Sequence, residues 1–123
     1  MTLTLTIDTR AWRDHVKHVH EEFPGLVPVA KGNGYGLGLD VLAREAERLN
    51  NDCLAVGTAH EVAAVREAGW SRDVIVLNPW RPFDEAATAL LDDPRVITVV
   101  SQGNAGTAGR WSMGAPASAR NVI

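Results

Sequence analysis

Thr2-Leu3-Thr4-Leu5-Thr6-Ile7 alternates polar and apolar residues, the period of a half-buried strand. Asp8 or Thr9 is placed to cap a helix. On that helix Trp12, Val16, Val19 and Phe23 recur at spacings of four, three and four, forming one apolar stripe. Pro24 and Gly25 end it. A repeating unit then begins. Val27 to Lys31 is apolar and β-favouring apart from Pro28. A glycine-rich loop leads to a helix with Leu39, Leu42, Ala46 and Leu49 on one face. Cys53 to Val56 is a second short apolar run. Thr58 to Ala68 is predicted as a helix opened by a capping box, Thr58-Ala59-His60-Glu61, and closed by Gly69. Val74 to Leu77 is a third run. Pro79 to Pro82 turns the chain, and a helix is predicted from Asp84 through Leu91, broken by Asp92-Asp93-Pro94. Val96 to Val100 is a fourth run.

The four runs begin at residues 27, 53, 74 and 96, with helical stretches between them. Continuous apolar strands alternating with helices predict a single α/β domain over 1–123, with a parallel sheet buried on both faces. The rhythm suits a barrel and a doubly wound sheet equally. A (β/α)₈ barrel takes about 250 residues, so this chain supplies roughly half of one. After Ser101 the pattern changes: Gly103, Gly106, Gly109 and Gly114 are interleaved with Ala and Ser, and residues 101–123 read as an atypical tail.

Composition narrows the function classes. Charge is mixed, with a formal net charge of −3, so neither a nucleic-acid backbone nor an anionic membrane is an expected partner. Cys53 is the only cysteine, which excludes an internal disulfide. Met1 to Asp8 has neither a basic start nor a continuous apolar core, and no run approaches the roughly 20 residues that span a bilayer. A cytosolic setting is expected.

The segment richest in chemistry is Val29-Ala30-Lys31-Gly32-Asn33-Gly34-Tyr35-Gly36-Leu37-Gly38. A lysine ends a predicted strand, and four glycines alternate over the next seven positions. Active sites gather at the C-terminal ends of strands in α/β folds. A lysine rooted there is expected to be partly desolvated, which favours the neutral amine needed for attack on an aldehyde. Glycines permit φ > 0 and close backbone approach to a ligand, and their N–H groups are suited to a phosphate. A dinucleotide fingerprint is absent: Gly32-x-Gly34, Gly34-x-Gly36 and Gly36-x-Gly38 are followed at the third glycine position by Leu37, Leu39 and Val41. No Gly-Lys-Ser/Thr is present, so a P-loop also fails. On these grounds alone, a flexible loop with a solvated lysine stands beside the catalytic reading.

The segment resembles the pyridoxal-phosphate attachment signature of alanine racemases: Lys, a small residue, Asn, a small residue, Tyr, Gly, usually His, and Gly. Lys31, Asn33, Tyr35, Gly36 and Gly38 match. Gly32 and Gly34 stand where the family usually has alanine, and Leu37 where it usually has histidine. The likeness continues through Leu54-Ala55-Val56-Gly57, Glu61, Arg66-Glu67-Ala68-Gly69 and Val74-Ile75-Val76-Leu77, and the opening strand and Trp12 helix also look like the family's start. It covers roughly residues 3 to 78.

The resemblance implies a partial (β/α)₈ TIM-type barrel, about the first four βα units, with an N-terminal strand that would join a β domain not contained in this chain. It implies pyridoxal 5'-phosphate held as a Schiff base on Lys31, which would also act as one of two bases at the substrate α-carbon. Tyr35 would reach the cofactor phosphate, and Val29 and Leu77 would help wall the cofactor. Removing a proton on one face and returning it on the other inverts the centre. The implied substrate is an amino acid and the implied assembly a homodimer. The family's second base is a tyrosine of the distal domain, to which no residue here corresponds. The chain alone is therefore not expected to racemise. The extra glycines are expected to make the loop more flexible.

Other readings stay open. One is a non-catalytic pyridoxal-phosphate-binding protein, which the opening strand argues against. Another is a truncated, inactive racemase homologue. An unclosed sheet would expose an edge and favour aggregation. His15 and His18 share a helix face with His20 nearby, but Arg13, Asp14, Lys17 and Glu21 mark that face as solvated, and no metal site is expected. Next to His60, capping explains Glu61 without catalysis, and Arg66 reads as a surface or helix-dipole partner. Trp70 and Trp80 read as packing residues, with Trp111 open between packing and lining a cleft. Asp92 and Asp93 read as turn residues, and Cys53 as inert packing.

Overall fold

The computed structural model describes residues 2–81 and 83–99; the tail at 101–123, Trp111 included, and Val100 lie outside the described residues. Asp8 caps helix α1 (Thr9–Glu22), its carboxylate accepting the N–H groups of Arg10 and Ala11. A single turn, α2 (Lys31–Tyr35), precedes helix α3 (Leu39–Arg48). Strand β1 (Cys53–Val56), helix α4 (Ala59–Glu67), strand β2 (Asp73–Val76), helix α5 (Glu85–Ala89) and strand β3 (Val96–Thr98) complete the described order.

The three strands form one parallel sheet in the order β1-β2-β3. Side chains alternate across a sheet, and here one row points to the helices. Leu54, Val56, Val74, Val76 and Val96 form one buried cluster with Ala30, Ala43 and Ala46, with Val62 and Val65 of α4, and with Trp70; Leu39, Leu42 and Leu90 pack on its margin. In the other row, Cys53, Ile75 and Ile97 are half-buried, and only Ala55 is buried. The expected burial on both faces is therefore not found: the described helices cover one face. That asymmetry favours one of the two architectures that spacing left open. A doubly wound sheet carries helices on both faces and reverses its strand order. Sequential parallel strands with a single helical layer are consistent with part of a (β/α)₈ barrel.

Two predicted strands take other forms. Thr2 to Ile7 is exposed and lies in no strand, with Leu3 99% and Leu5 79% accessible. Alternation shows which residues would share a face, but a strand also needs a neighbour to bond, and none lies beside this one among the described residues. The Val27–Lys31 run pairs with β1 only through the parallel bridge Val29–Ala55. Its bonds are Ala55 N–H to Pro28 O and Ala30 N–H to Ala55 O, both 2.8 Å. Pro28 has no N–H to extend the ladder, and Ala30 already leaves the extended region at φ −116°, ψ 23°.

The end of the sheet away from Lys31 is tied by side chains. Arg66 donates to the carbonyls of Trp70 (3.1 Å) and Arg72 (2.5 Å), and the Trp70 indole donates to Asp73 O at 3.1 Å. Arg13 joins α1 to α3 through a forked contact with the nearly buried Glu45, 2.6 Å at its shortest, and the Arg13 guanidinium is raised above its ordinary range mainly by this hydrogen bond. No helix among the described residues is long and apolar enough to cross a membrane.

Candidate functional site

Lys31 does not end a strand; it begins α2, a turn of the opposite hand to an ordinary helix. Gly32 (φ 62°, ψ 49°), Asn33 (52°, 42°) and Gly34 (63°, 37°) all lie in the left-handed region, followed by Tyr35 at φ 56° and Gly36 at φ 87°. A left-handed turn costs a residue with a Cβ roughly 1–2 kcal/mol and glycine little, with asparagine next most tolerant. The alternation Gly-Asn-Gly-Tyr-Gly leaves Tyr35 as the single costly position. The turn is closed by hydrogen bonds from Gly34 N–H to Ala30 O (3.2 Å) and from Gly38 N–H to Asn33 O (2.9 Å). Gly34 is buried, and a Cβ there would sit 3.2 Å from the Leu39 nitrogen. The additional glycines therefore relieve strain in a defined turn, where the sequence suggested a looser loop.

The Lys31 backbone is held on both sides. Ala30, fully buried, bonds to β1. The next peptide N–H after Lys31, that of Gly32, donates to Glu61 Oε1 at 3.0 Å. Glu61 Oε2 accepts Gly57 N–H at 2.7 Å and Thr58 N–H at 2.9 Å. The capping residue predicted for α4 thus also reaches the lysine turn. The capping box pointed to Thr58; nothing local points to Gly32, 29 residues earlier.

The Lys31 side chain itself is exposed. The expected desolvation is not supplied by the described residues, because the sheet face and the turn leave that side open. None of the described carboxylates lies within ion-pairing distance of its ammonium. Tyr35 is 63% accessible on the same turn. Val29 and Tyr35 line a cavity of about 270 Å³ with Trp12, Val16, Leu37 and Leu42. Leu77, 41% accessible, follows β2 and donates its N–H to Val56 O at 2.9 Å. Lys31 and Leu77 lie outside that cavity's lining, so of the four residues named from sequence this cavity brings together Val29 and Tyr35.

The remaining candidates resolve simply. No group of three or more His, Cys, Asp or Glu among the described residues is arranged to hold a metal, and His18 lies 3.7 Å from Glu22 on its own helix. Trp70 is buried, and Trp80 donates to Thr88 Oγ1 at 3.0 Å. Asp93 turns the chain by accepting Arg95 N–H at 2.9 Å. Cys53 is half-buried, and burial pushes its thiol up, with Asp73 adding to the effect.

Residues 7–108 match the family described as alanine racemase, N-terminal domain. The alanine racemase of Geobacillus stearothermophilus is 34% identical over 86 residues, covering 68% of this chain and 22% of that protein. The alanine racemase of Citrifermentans bemidjiense is 33% identical over 82 residues, 64% of this chain and 22% of its relative. The crystal structure of alanine racemase from E. faecalis superposes with a TM-score of 0.63 at 28% identity, covering 78% of this chain and 26% of that one. The chain thus spans about a quarter of the length of the relatives it matches.

Proposed function

The chain belongs to the alanine racemase N-terminal-domain family, and from that premise we propose that it is the cofactor-binding portion of a pyridoxal-phosphate-dependent, alanine-type amino-acid racemase. The carrying observation is Lys31: an exposed amine, free of ion pairs with the described carboxylates, on a backbone fixed at both neighbouring peptides. The residues present suit pyridoxal 5'-phosphate. When bound, that group supplies an aldehyde that condenses with an amine, losing water, and a ring that draws electrons from the substrate α-carbon.

In this reading Lys31 Nζ holds the cofactor and afterwards carries a proton to or from one face of the α-carbon. Tyr35, four residues on and 63% accessible, would donate its hydroxyl to the phosphate. Val29 and Leu77 limit the cofactor's lateral movement. The Val27–Lys31 segment counts as the first of about four βα units of the barrel. The second proton carrier and the rest of the phosphate site come from elsewhere in a homodimer, and the substrate is a small amino acid.

The opening segment does not separate this from a non-catalytic cofactor-binding protein, because Thr2 to Ile7 is not a strand. The relatives support the racemase reading. Titration with pyridoxal 5'-phosphate followed by absorbance tests it: the 123-residue chain develops a long-wavelength band, and Lys31→Ala does not. An identical band in Lys31→Ala overturns the assignment.

A further inference from the structure

We propose that Glu61 is a positioning residue for Lys31, its carboxylate fastening the peptide that follows the lysine to the start of α4 and the end of β1. The inference rests on the reading of Lys31 as the cofactor-bearing lysine. Three backbone N–H groups meet on one side chain: Gly57 at 2.7 Å, Thr58 at 2.9 Å and Gly32 at 3.0 Å. Two are local to α4: that of Thr58, the N-cap, is the reciprocal bond of a capping box, and that of Gly57 comes from the residue just before it. The third is not local, and helix capping does not require it. Glu61 Oε1 is spent on Gly32 while Oε2 serves both local donors, so the two oxygens have separate tasks.

The consequence falls on Lys31. Its side chain is long, flexible and exposed, so the aim of its amine depends on how firmly its root is held. On one side the root is fixed by Ala30, whose N–H bonds to Ala55 O at 2.8 Å. On the other side the described contacts of the Gly32 N–H go to Glu61 alone. Gly57 closes the third direction, since a Cβ built on it would lie 3.1 Å from Lys31 Cβ and 3.0 Å from Glu61 Oε2. A turn in left-handed conformation has right-handed or extended alternatives that its glycines make accessible. A charge-assisted bond at its first peptide favours the observed one. Positioning a reacting group in this way is itself a rate effect. Glu61 touches no reacting atom.

The test compares the 123-residue chain with Glu61→Ala, Glu61→Gln and Thr58→Ala. Hydrogen exchange of the Gly32 amide is followed by NMR without cofactor. The rate of pyridoxal 5'-phosphate attachment at Lys31 is followed by borohydride trapping, and thermal melts monitor stability. Thr58→Ala weakens the α4 cap and keeps the Gly32 contact, so it controls for a merely structural effect. The expected result is Gly32 exchange faster by about tenfold or more in Glu61→Ala, for the loss of one bond to a charged acceptor. Lys31 trapping slows several-fold alongside it. Thr58→Ala lowers the melting temperature and alters neither readout, and Glu61→Gln, with one acceptor oxygen left, falls between. Unchanged Gly32 exchange in both Glu61 variants overturns the proposal. So does slowed trapping that merely follows melting temperature across all the variants. If Glu61→Ala unfolds, Glu61→Gln carries the same comparison. Trapping that avoids Lys31 in the unsubstituted chain, with Gly32 exchange still dependent on Glu61, removes the cofactor reading and leaves the anchoring of the lysine turn in place.

Discussion

Gly57 faces the root of Lys31: a Cβ built on Gly57 would come within 3.1 Å of Lys31 Cβ. An alanine there asks for shifts of a few tenths of an ångström. A β-branched residue asks for more, because it adds two atoms beyond a Cβ already tight against both Lys31 and Glu61. Gly57→Val is expected to lower stability by about 1–3 kcal/mol through overpacking and to weaken pyridoxal 5'-phosphate attachment at Lys31. Urea melts and cofactor titration check both. A variant of normal stability and normal cofactor uptake would show that this approach has no consequence.

Short, strongly patterned elements were legible in the sequence. Cys53 to Val56 is a strand over the predicted residues, and α4 begins at the predicted cap. Their signals are local, a branched apolar run and a capping box, and tertiary packing agrees with them. Thr2 to Ile7 shows the limit of periodicity, since a strand exists only where a second strand lies alongside. Lys31 stands out in the sequence through its motif, but its surroundings are not legible there. The glycine alternation signals positive φ without saying that successive residues join into one left-handed turn. The bond from Gly32 to Glu61 spans 29 residues and leaves no mark in either local motif.

Arg66 is placed to hold the end of the sheet opposite Lys31. Its guanidinium reaches the Trp70 and Arg72 carbonyls together and extends toward Arg95 O at 3.4 Å. Arg66→Ala is expected to cost about 1–3 kcal/mol, since those carbonyls lose a charged donor. Arg66→Lys recovers only part of it, because an ammonium does not reproduce the planar fork. Denaturant unfolding of the three proteins measures the order. Equal stabilities would place these contacts among those that water replaces freely.

Cys53 lies at the start of β1, where desolvation chiefly, and the carboxylates of Asp73 and Asp52 secondarily, raise its thiol above the ordinary value. Over the pH range between the unfolded and folded values, the folded chain retains a proton that the unfolded chain has released. Stability therefore declines as pH rises through that window, and below it the group contributes nothing. Iodoacetamide at mildly alkaline pH is expected to alkylate Cys53 more slowly in the folded chain than in denaturant, with the gap narrowing as pH rises. Faster alkylation in the folded chain would contradict the burial argument.

The chain contains two lysines, Lys17 and Lys31, which makes the central claim open to one direct measurement. Lys17 sits on the exposed side of α1, 3.6 Å from Glu21, and Lys31 stands on the anchored turn at the end of the sheet. Incubation with pyridoxal 5'-phosphate, borohydride reduction and peptide mapping locate the attached group. The account predicts a pyridoxyl adduct on Lys31 that disappears in Lys31→Arg. An adduct on Lys17 with Lys31 unmodified would contradict it.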